Sequence, residues 1–338
     1  MIRSNKLSIA MYRKTNLARN LEMWQTLFAK YSSSSSINIY RGKIDTNNHI
    51  LHINDCFYNS DIHDSFIKEK KSLLQIHTHP KYGIKSCVKN QCIPEAISKN
   101  IPIVVNHGHF ALGDLPYNKN KYIPLIHWYG MDIHSTTISE YIKTKPLNKI
   151  TVSFTPYRNR LKNKYHNKGT EAVIDVLERL KTNYPKSFDY FLIEAQSYEN
   201  CLKIKSQSHI VIDDINSGNY NQGGFEGLAL GRVVIGNVSE ANQKLFGAFC
   251  DTTVPYVNIT NKQELLEYLE NNIIQNSLDQ IIYEGKQNRA WMEKFWNPEL
   301  LIKERCLLYD RLLNNKLNEY TDIAENANFN TQIGGERI

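Results

Sequence analysis

Short apolar runs rich in Val, Ile and Leu recur along the chain, separated by stretches whose apolar positions fall three and four apart. The runs predict strands at 6–12, from Ile37, and at 49–55, 72–79, 101–109 and 122–130. Between them, Leu21, Trp24, Leu27 and Phe28 predict a helix over 20–31, and a second helix is expected over 89–99. After residue 150 the alternation resumes, with strands at 150–156, 189–194, 210–215, 233–236 and 255–258 and a helix at 169–182. Residues 261–315 read as almost wholly helical. Strands alternating with helices imply βαβ units, hence an α/β fold with parallel sheets flanked by helices.

At 338 residues the chain exceeds one ordinary core, since domains run to about 100–200 residues. The polar segment 141–149, which holds Pro146, sets the expected boundary, giving a first lobe of 1–148 and a second of 149–295. Residues 296–315 form a terminal helix, and 316–338 a polar tail with little to bury. A cleft between two lobes would hold the ligand.

A composition of 41% hydrophobic and 22% charged residues excludes a fibrous or disordered chain. No apolar run reaches the ~20 residues of a membrane span, and a charge interrupts the short apolar stretch at the N-terminus. A cytoplasmic protein is therefore expected, with Cys56, Cys87, Cys92, Cys201, Cys250 and Cys306 as reduced thiols. The net charge of +7 favours an anionic partner, either a phosphate-bearing ligand, an anionic membrane or nucleic acid. It equally fits a Lys- and Asn-rich composition of no functional meaning.

Chemistry concentrates in "SHIVIDDINSGNYNQGGFEGLALGRVVIGN", residues 208–237. A strand ends there in a glycine-bearing loop, and Phe225, Leu228, Ala229 and Leu230 predict a short helix closed by Gly231. Gly223 and Gly224 would then stand at a helix N-terminus, where backbone N–H groups and the dipole attract phosphate. Glu226 in the first turn would accept from sugar hydroxyls, or merely complement the dipole. Asp213 and Asp214 read as strand-end structure.

This segment, with its run "EGLALGRVVI" (226–235), resembles the donor-binding segment of GT-B glycosyltransferases of the retaining family 4 type. The stretch 153–180, with its "KGT", is similar to the strand, basic loop and helix that open their second lobe. Residues 288–313 resemble their last helices, which cross back to the first lobe. The resemblance implies two Rossmann-like lobes and transfer of a sugar, with retention, from a UDP- or GDP-sugar to an acceptor hydroxyl, without cofactor or metal. Glu226 matches the second acid of the family's pair; Gly218 stands where the first would be. Lys168 matches the lysine facing the donor diphosphate, with Arg158 or Arg160 as companion and Gly223, Gly224 and Phe225 beside it. His77 corresponds to a histidine near the transferred sugar.

Acceptor-side candidates are Arg13, Lys14 and Asn16 in the first loop, His107 and His109 in "VNHGH", and Asp132. The alternating histidines carry no H-E-x-x-H pattern or cysteine partner, which argues against zinc. The acceptor implied is a bacterial surface polysaccharide or glycolipid, made at the inner face of an anionic membrane. Two alternatives stay open: a phage DNA-base glycosyltransferase, which requires Arg13, Lys14, Lys81, Lys85 and Lys89 in one basic stripe, and a nucleotide-binding protein without catalysis.

Overall fold

The computed structural model describes residues 7–12, 20–40, 47–54, 71–77, 92–106, 119–144, 146, 148–157, 167–275 and 277–327. The chain forms two compact units, one of residues 1–132, 244–252 and 298–338 and the other of 133–243 and 253–297.

The first unit holds a parallel sheet built from β1 (Leu7–Tyr12), β2 (Ser35–Tyr40), β3 (Ile50–Asn54), β4 (Lys71–Ile76), β5 (Ile103–Asn106) and β6 (Tyr122–Leu125), in the order β2-β1-β3-β4-β5-β6. β3 and β5 are buried throughout, which is why they read as unbroken apolar runs rather than alternating ones. Helices α1 (Asn20–Tyr31) and α2 (Cys92–Ser98) accompany this sheet. α1 buries Leu21, Trp24, Leu27 and Phe28, the stripe its spacing predicts.

The second unit has β7 (Ile150–Phe154), β8 (Phe188–Leu192), β9 (Ile210–Ile212), β10 (Val233–Gly236) and β11 (Val257–Asn258), all parallel, in the order β11-β10-β9-β7-β8. Its helices are α3 (Thr136–Ile142), α4 (Thr170–Asn183), α5 (Tyr198–Ser206), α6 (Gln222–Ala229), the start of α7 (Glu240–Cys250), α8 (Lys262–Ile274) and α9 (Leu278–Phe295). α4 turns Val173, Val176, Leu177 and Leu180 into the core, where each contributes about 1.5–3 kcal/mol. α6 ends in a Schellman motif: Arg232 N donates to Gly227 O at 3.0 Å, Gly231 N to Leu228 O at 3.0 Å, and Gly231 takes φ +67°.

The remaining helices, α10 (Pro298–Leu313) and α11 (Glu319–Asn326), belong to the first unit. α10 packs on β4 and α1. Its buried Arg305 lays the guanidinium 4.3 Å from the Trp24 ring and donates to Gln75 Oε1 at 3.0 Å.

Two expectations change. The division falls between Asp132 and Ile133, not at 148/149. Ahead of the Pro146 segment, Ser135 caps an unforeseen helix, α3, which packs on α5, and Arg232 Nη2 reaches Thr144 O at 3.4 Å. The segment 316–338 is not merely a polar tail, because α11 buries Tyr320 and Ala324. Arg311 stacks 4.3 Å from the Tyr320 ring and pairs with Glu319 at 2.9 Å. Two apolar anchors a turn apart suffice to dock a helix that is otherwise polar. Residues 328–338 lie outside the described residues.

Candidate functional site

In the second unit the strand order reverses between β7 and β9, and ligands of open parallel sheets bind outside the carboxyl ends of strands at such a point. The segments leaving these two strands are joined. Asn167 Oδ1 accepts from Gly169 N at 3.0 Å and from Asn216 Nδ2 at 2.9 Å. Lys168 and Gly169 both take left-handed conformations, φ +55° and +73°. For the lysine that costs about 1–2 kcal/mol, which the surrounding structure must hold.

The turn aims the Lys168 side chain inward. Its Nζ lies 3.5 Å from Asp213 Oδ1 and 4.7 Å from the centre of the Tyr157 ring, with the residue 5% exposed. Burial alone would lower its pKa, but Asp213, with Tyr157 and Asp214 behind it, holds the ammonium above the ordinary lysine value. Asp213 Oδ2 accepts from Asn221 N at 2.8 Å and from Tyr256 Oη at 3.2 Å. Asp214 Oδ1 accepts from the amides of Asn216 and Ser217 at 2.8 and 3.0 Å. Its pKa is raised by burial and by Asp213. These acids read as strand-end structure in the sequence, yet they organise the loop and hold the lysine.

α6 starts at Gln222, so Glu226 stands one full turn in rather than in the expected first turn. Its role as a dipole complement is thereby removed, because that effect is confined to the first turn. Glu226 is buried, its Oε2 paired with Lys205 Nζ and its Oε1 accepting from Gln222 Nε2 at 3.0 Å. Lys205, buried on α5, also donates to Gly223 O at 3.0 Å. Asn221 caps no N–H of α6; its side-chain amide turns to Asp214 Oδ2 at 3.4 Å.

Gly223 is where the charges converge. A Cβ there would lie 3.4 Å from Lys205 Nζ, 3.5 Å from Asp213 Oδ1 and 3.8 Å from Lys168 Nζ. Two ammonium groups and one carboxylate therefore surround a helix N-terminus that only hydrogen covers. Phe225, expected against the donor, is instead fully buried among Tyr220, Trp296 and Trp291, with ring centroids 5.1, 4.3 and 6.1 Å away. It anchors α6. At Gly218 the backbone is left-handed, φ +75°, and its carbonyl accepts from Asn242 Nδ2 at 2.7 Å. The turn uses the glycine found where the resemblance calls for an acid.

In the first unit, His77 directly follows β4, and its Nε2 lies 2.8 Å from Asn54 Oδ1 at the end of β3. The His127 ring sits 5.1 Å from that of His77 and 4.5 Å from that of Tyr129. Asp132 is already engaged, accepting from Lys30 Nζ at 2.8 Å and Tyr31 Oη at 3.0 Å, so it ties down the last turn of α1. Arg13, Lys14, Asn16, His107, His109, Arg158 and Arg160 lie outside the described residues, as do Lys81, Lys85 and Lys89. Among the described residues no three His, Cys, Asp or Glu side chains gather into a metal-binding group. None of their helices is long and apolar enough to cross a membrane.

Sequence reasoning missed Lys205 and Tyr256. Lys205 sits in "YENCLKIKS", where it looks like any solvated lysine; only the pairing of α5 with α6 reveals it.

By sequence, the chain matches no protein-family model and no curated protein. By structure it is similar to a glycosyltransferase from Rickettsia africae, at 12% identity and TM-score 0.57 over 92% of this chain and 100% of that one. Sucrose-phosphate synthase from Thermosynechococcus elongatus aligns at 10% identity and TM-score 0.58 over 91% and 99%. HepE of Anabaena, solved with UDP and glucose, aligns at 9% identity and TM-score 0.54 over 90% and 98%. At such identities the likeness is one of fold: two parallel α/β sheets flanked by helices, as in GT-B glycosyltransferases.

Proposed function

We propose that the protein is a glycosyltransferase that takes its sugar from a nucleotide sugar, with UDP-sugars the first donors to test, since HepE was solved with UDP-glucose. The observation that carries this reading is the convergence of Lys168 and Lys205 on Gly223, at the N-terminus of α6 and the switch point of the sheet. A nucleoside diphosphate gains negative charge as its glycosidic bond breaks, and fixed cations with bare amides stabilise that charge where it develops. Glycine lets the diphosphate approach the helix end. Glu226 receives the ribose hydroxyls on Oε1 in exchange for the Gln222 amide, while Lys205 keeps Oε2.

Transfer proceeds with retention. The acceptor O–H attacks the anomeric carbon from the leaving-group face, the bond to the diphosphate breaks, and the departing phosphate takes the proton. His77, held by Asn54 after β4, is the residue that the resemblance assigns to the transferred sugar. No metal or cofactor is required. The acceptor is a surface glycan or glycolipid precursor met at the cytoplasmic face of the membrane.

The test is a thermal-shift series with UDP, GDP, CDP, ADP and UDP-sugars. Ligand at 100 times its Kd adds about 2.7 kcal/mol of stability. A shift with one nucleotide, lost in Lys168→Ala, supports the donor site. No shift with any of them in folded protein refutes it.

A further inference from the structure

The first unit has a cavity at the amino-terminal edge of its sheet, the edge opposite His77 and Asn106. Half open to solvent, it offers about 370 Å3 beside the starts of β4 and β5 and the ends of α2 and α10, and so falls within the ~300–1,000 Å3 of small-molecule sites. It shares no residue with the proposed donor site.

One wall is apolar, formed by Ile101, Pro102, Leu312 and Leu317. Facing chemistry comes from Lys71, Lys99 and Ser72. Lys71 Nζ donates to Asn315 Oδ1 at 2.7 Å and pairs with no carboxylate among the described residues. An ammonium has three donors, so a single neutral amide leaves it under-partnered. Lys99 is paired with Glu95 at 3.1 Å. Among the described residues the buried Ser72 hydroxyl has no hydrogen-bond partner, an arrangement that costs about 1–3 kcal/mol unless something arrives to satisfy it.

We propose that this cavity binds a small organic anion: one carboxylate or phosphate monoester on an apolar body of a few carbons. The anion lies between Lys71 and Lys99, accepts from Ser72 Oγ, and rests its carbon skeleton on Ile101 and Leu317. Helix carboxyl ends attract cations, so an ammonium ligand is the competing chemistry that the test must separate.

The test titrates the full chain calorimetrically with benzoate, phenyl phosphate, benzamide and benzylamine at constant ionic strength. Benzoate or phenyl phosphate should bind at least about tenfold more tightly than benzamide. That binding should be lost in Lys71→Ala/Lys99→Ala and weakened in Ser72→Ala. It should be unchanged in Lys168→Ala, which reports on the donor site alone. Both lysines are partly exposed, so the double variant folds. Preference for benzylamine, equal binding of the neutral amide, no binding by any probe, or anion binding that survives the double substitution would each overturn the assignment.

Discussion

Gly224 and Tyr256 occupy one another's space: a Cβ on Gly224 would fall 1.9 Å from Tyr256 Oη and 2.9 Å from Asp213 Oδ2. The phenol therefore reaches Asp213 only because residue 224 has no side chain. Gly224→Ala should destabilise the protein by about 1–3 kcal/mol, the usual cost of overpacking. In a double-mutant cycle read by urea denaturation, Tyr256→Ala should absorb most of that loss. Additive effects would show that the two residues are not coupled.

The buried pair Lys205–Glu226 predicts asymmetric costs. Glu226→Gln leaves a buried ammonium without its counter-ion and should cost about 3–5 kcal/mol, whereas Lys205→Met/Glu226→Leu should fold with nearly wild-type stability. Nucleotide binding by that double variant then tests the pair as a unit. If affinity is kept, Lys205 and Glu226 only anchor α6 on α5, and both the diphosphate role of Lys205 and the ribose role of Glu226 fail.

His209 gives a pH signature. Its Nδ1 accepts from Thr151 N at 3.2 Å, which requires the neutral ring, and burial with Arg232 nearby lowers its pKa to about 4. The folded value lies below the unfolded one of about 6.5, so the unfolded chain binds the extra proton. The contribution is intact above pH 6.5 and is lost as pH falls toward 4, with a slope of at most about 1.4 kcal/mol per unit. Urea midpoints for wild type and His209→Gln between pH 7 and 4 check this; the variant's profile should be flatter.

Gly285 lies inside α9, where alanine would ordinarily gain about 1 kcal/mol of helix propensity. A Cβ there would meet Gly231 O at 2.2 Å, and a backbone atom in a Schellman turn cannot rotate aside. The clash should win. Gly285→Ala is expected to lower Tm, and a higher Tm would show that α9 can move off α6.

The α/β class and most of its strands were legible because parallel strands buried on both faces, such as β3 and β5, leave unbroken apolar runs. α1 was legible from its four-residue stripe. α3 and α11 were not: each has few buried apolar positions, below what a periodic signal needs. At the candidate site, the paired glycines were legible at a helix N-terminus because turn chemistry is local, whereas Lys168 was singled out only by the resemblance of its "KGT" run. Lys205 and Tyr256 come from α5 and from the loop before β11, and no local spacing links them to Gly223. Phe225 misled because an aromatic beside glycines looks alike whether it faces a ligand or a core.

The division of the chain carries a consequence for the order in which the protein can be made. Residues 1–132 of the first unit precede the second unit but are completed by 244–252 and 298–338, and Arg305, which covers Trp24 and holds Gln75, is made only after the second unit. Domains that fold as contiguous blocks can mature while the ribosome is still at work. Here residues 1–132 must wait, with Trp24 lacking its cover, while nearly all of the second unit is translated. A fragment ending at Asp132 would lack α10 and α11, and the amino-terminal unit should reach its final core only after residues 298–326 have been made.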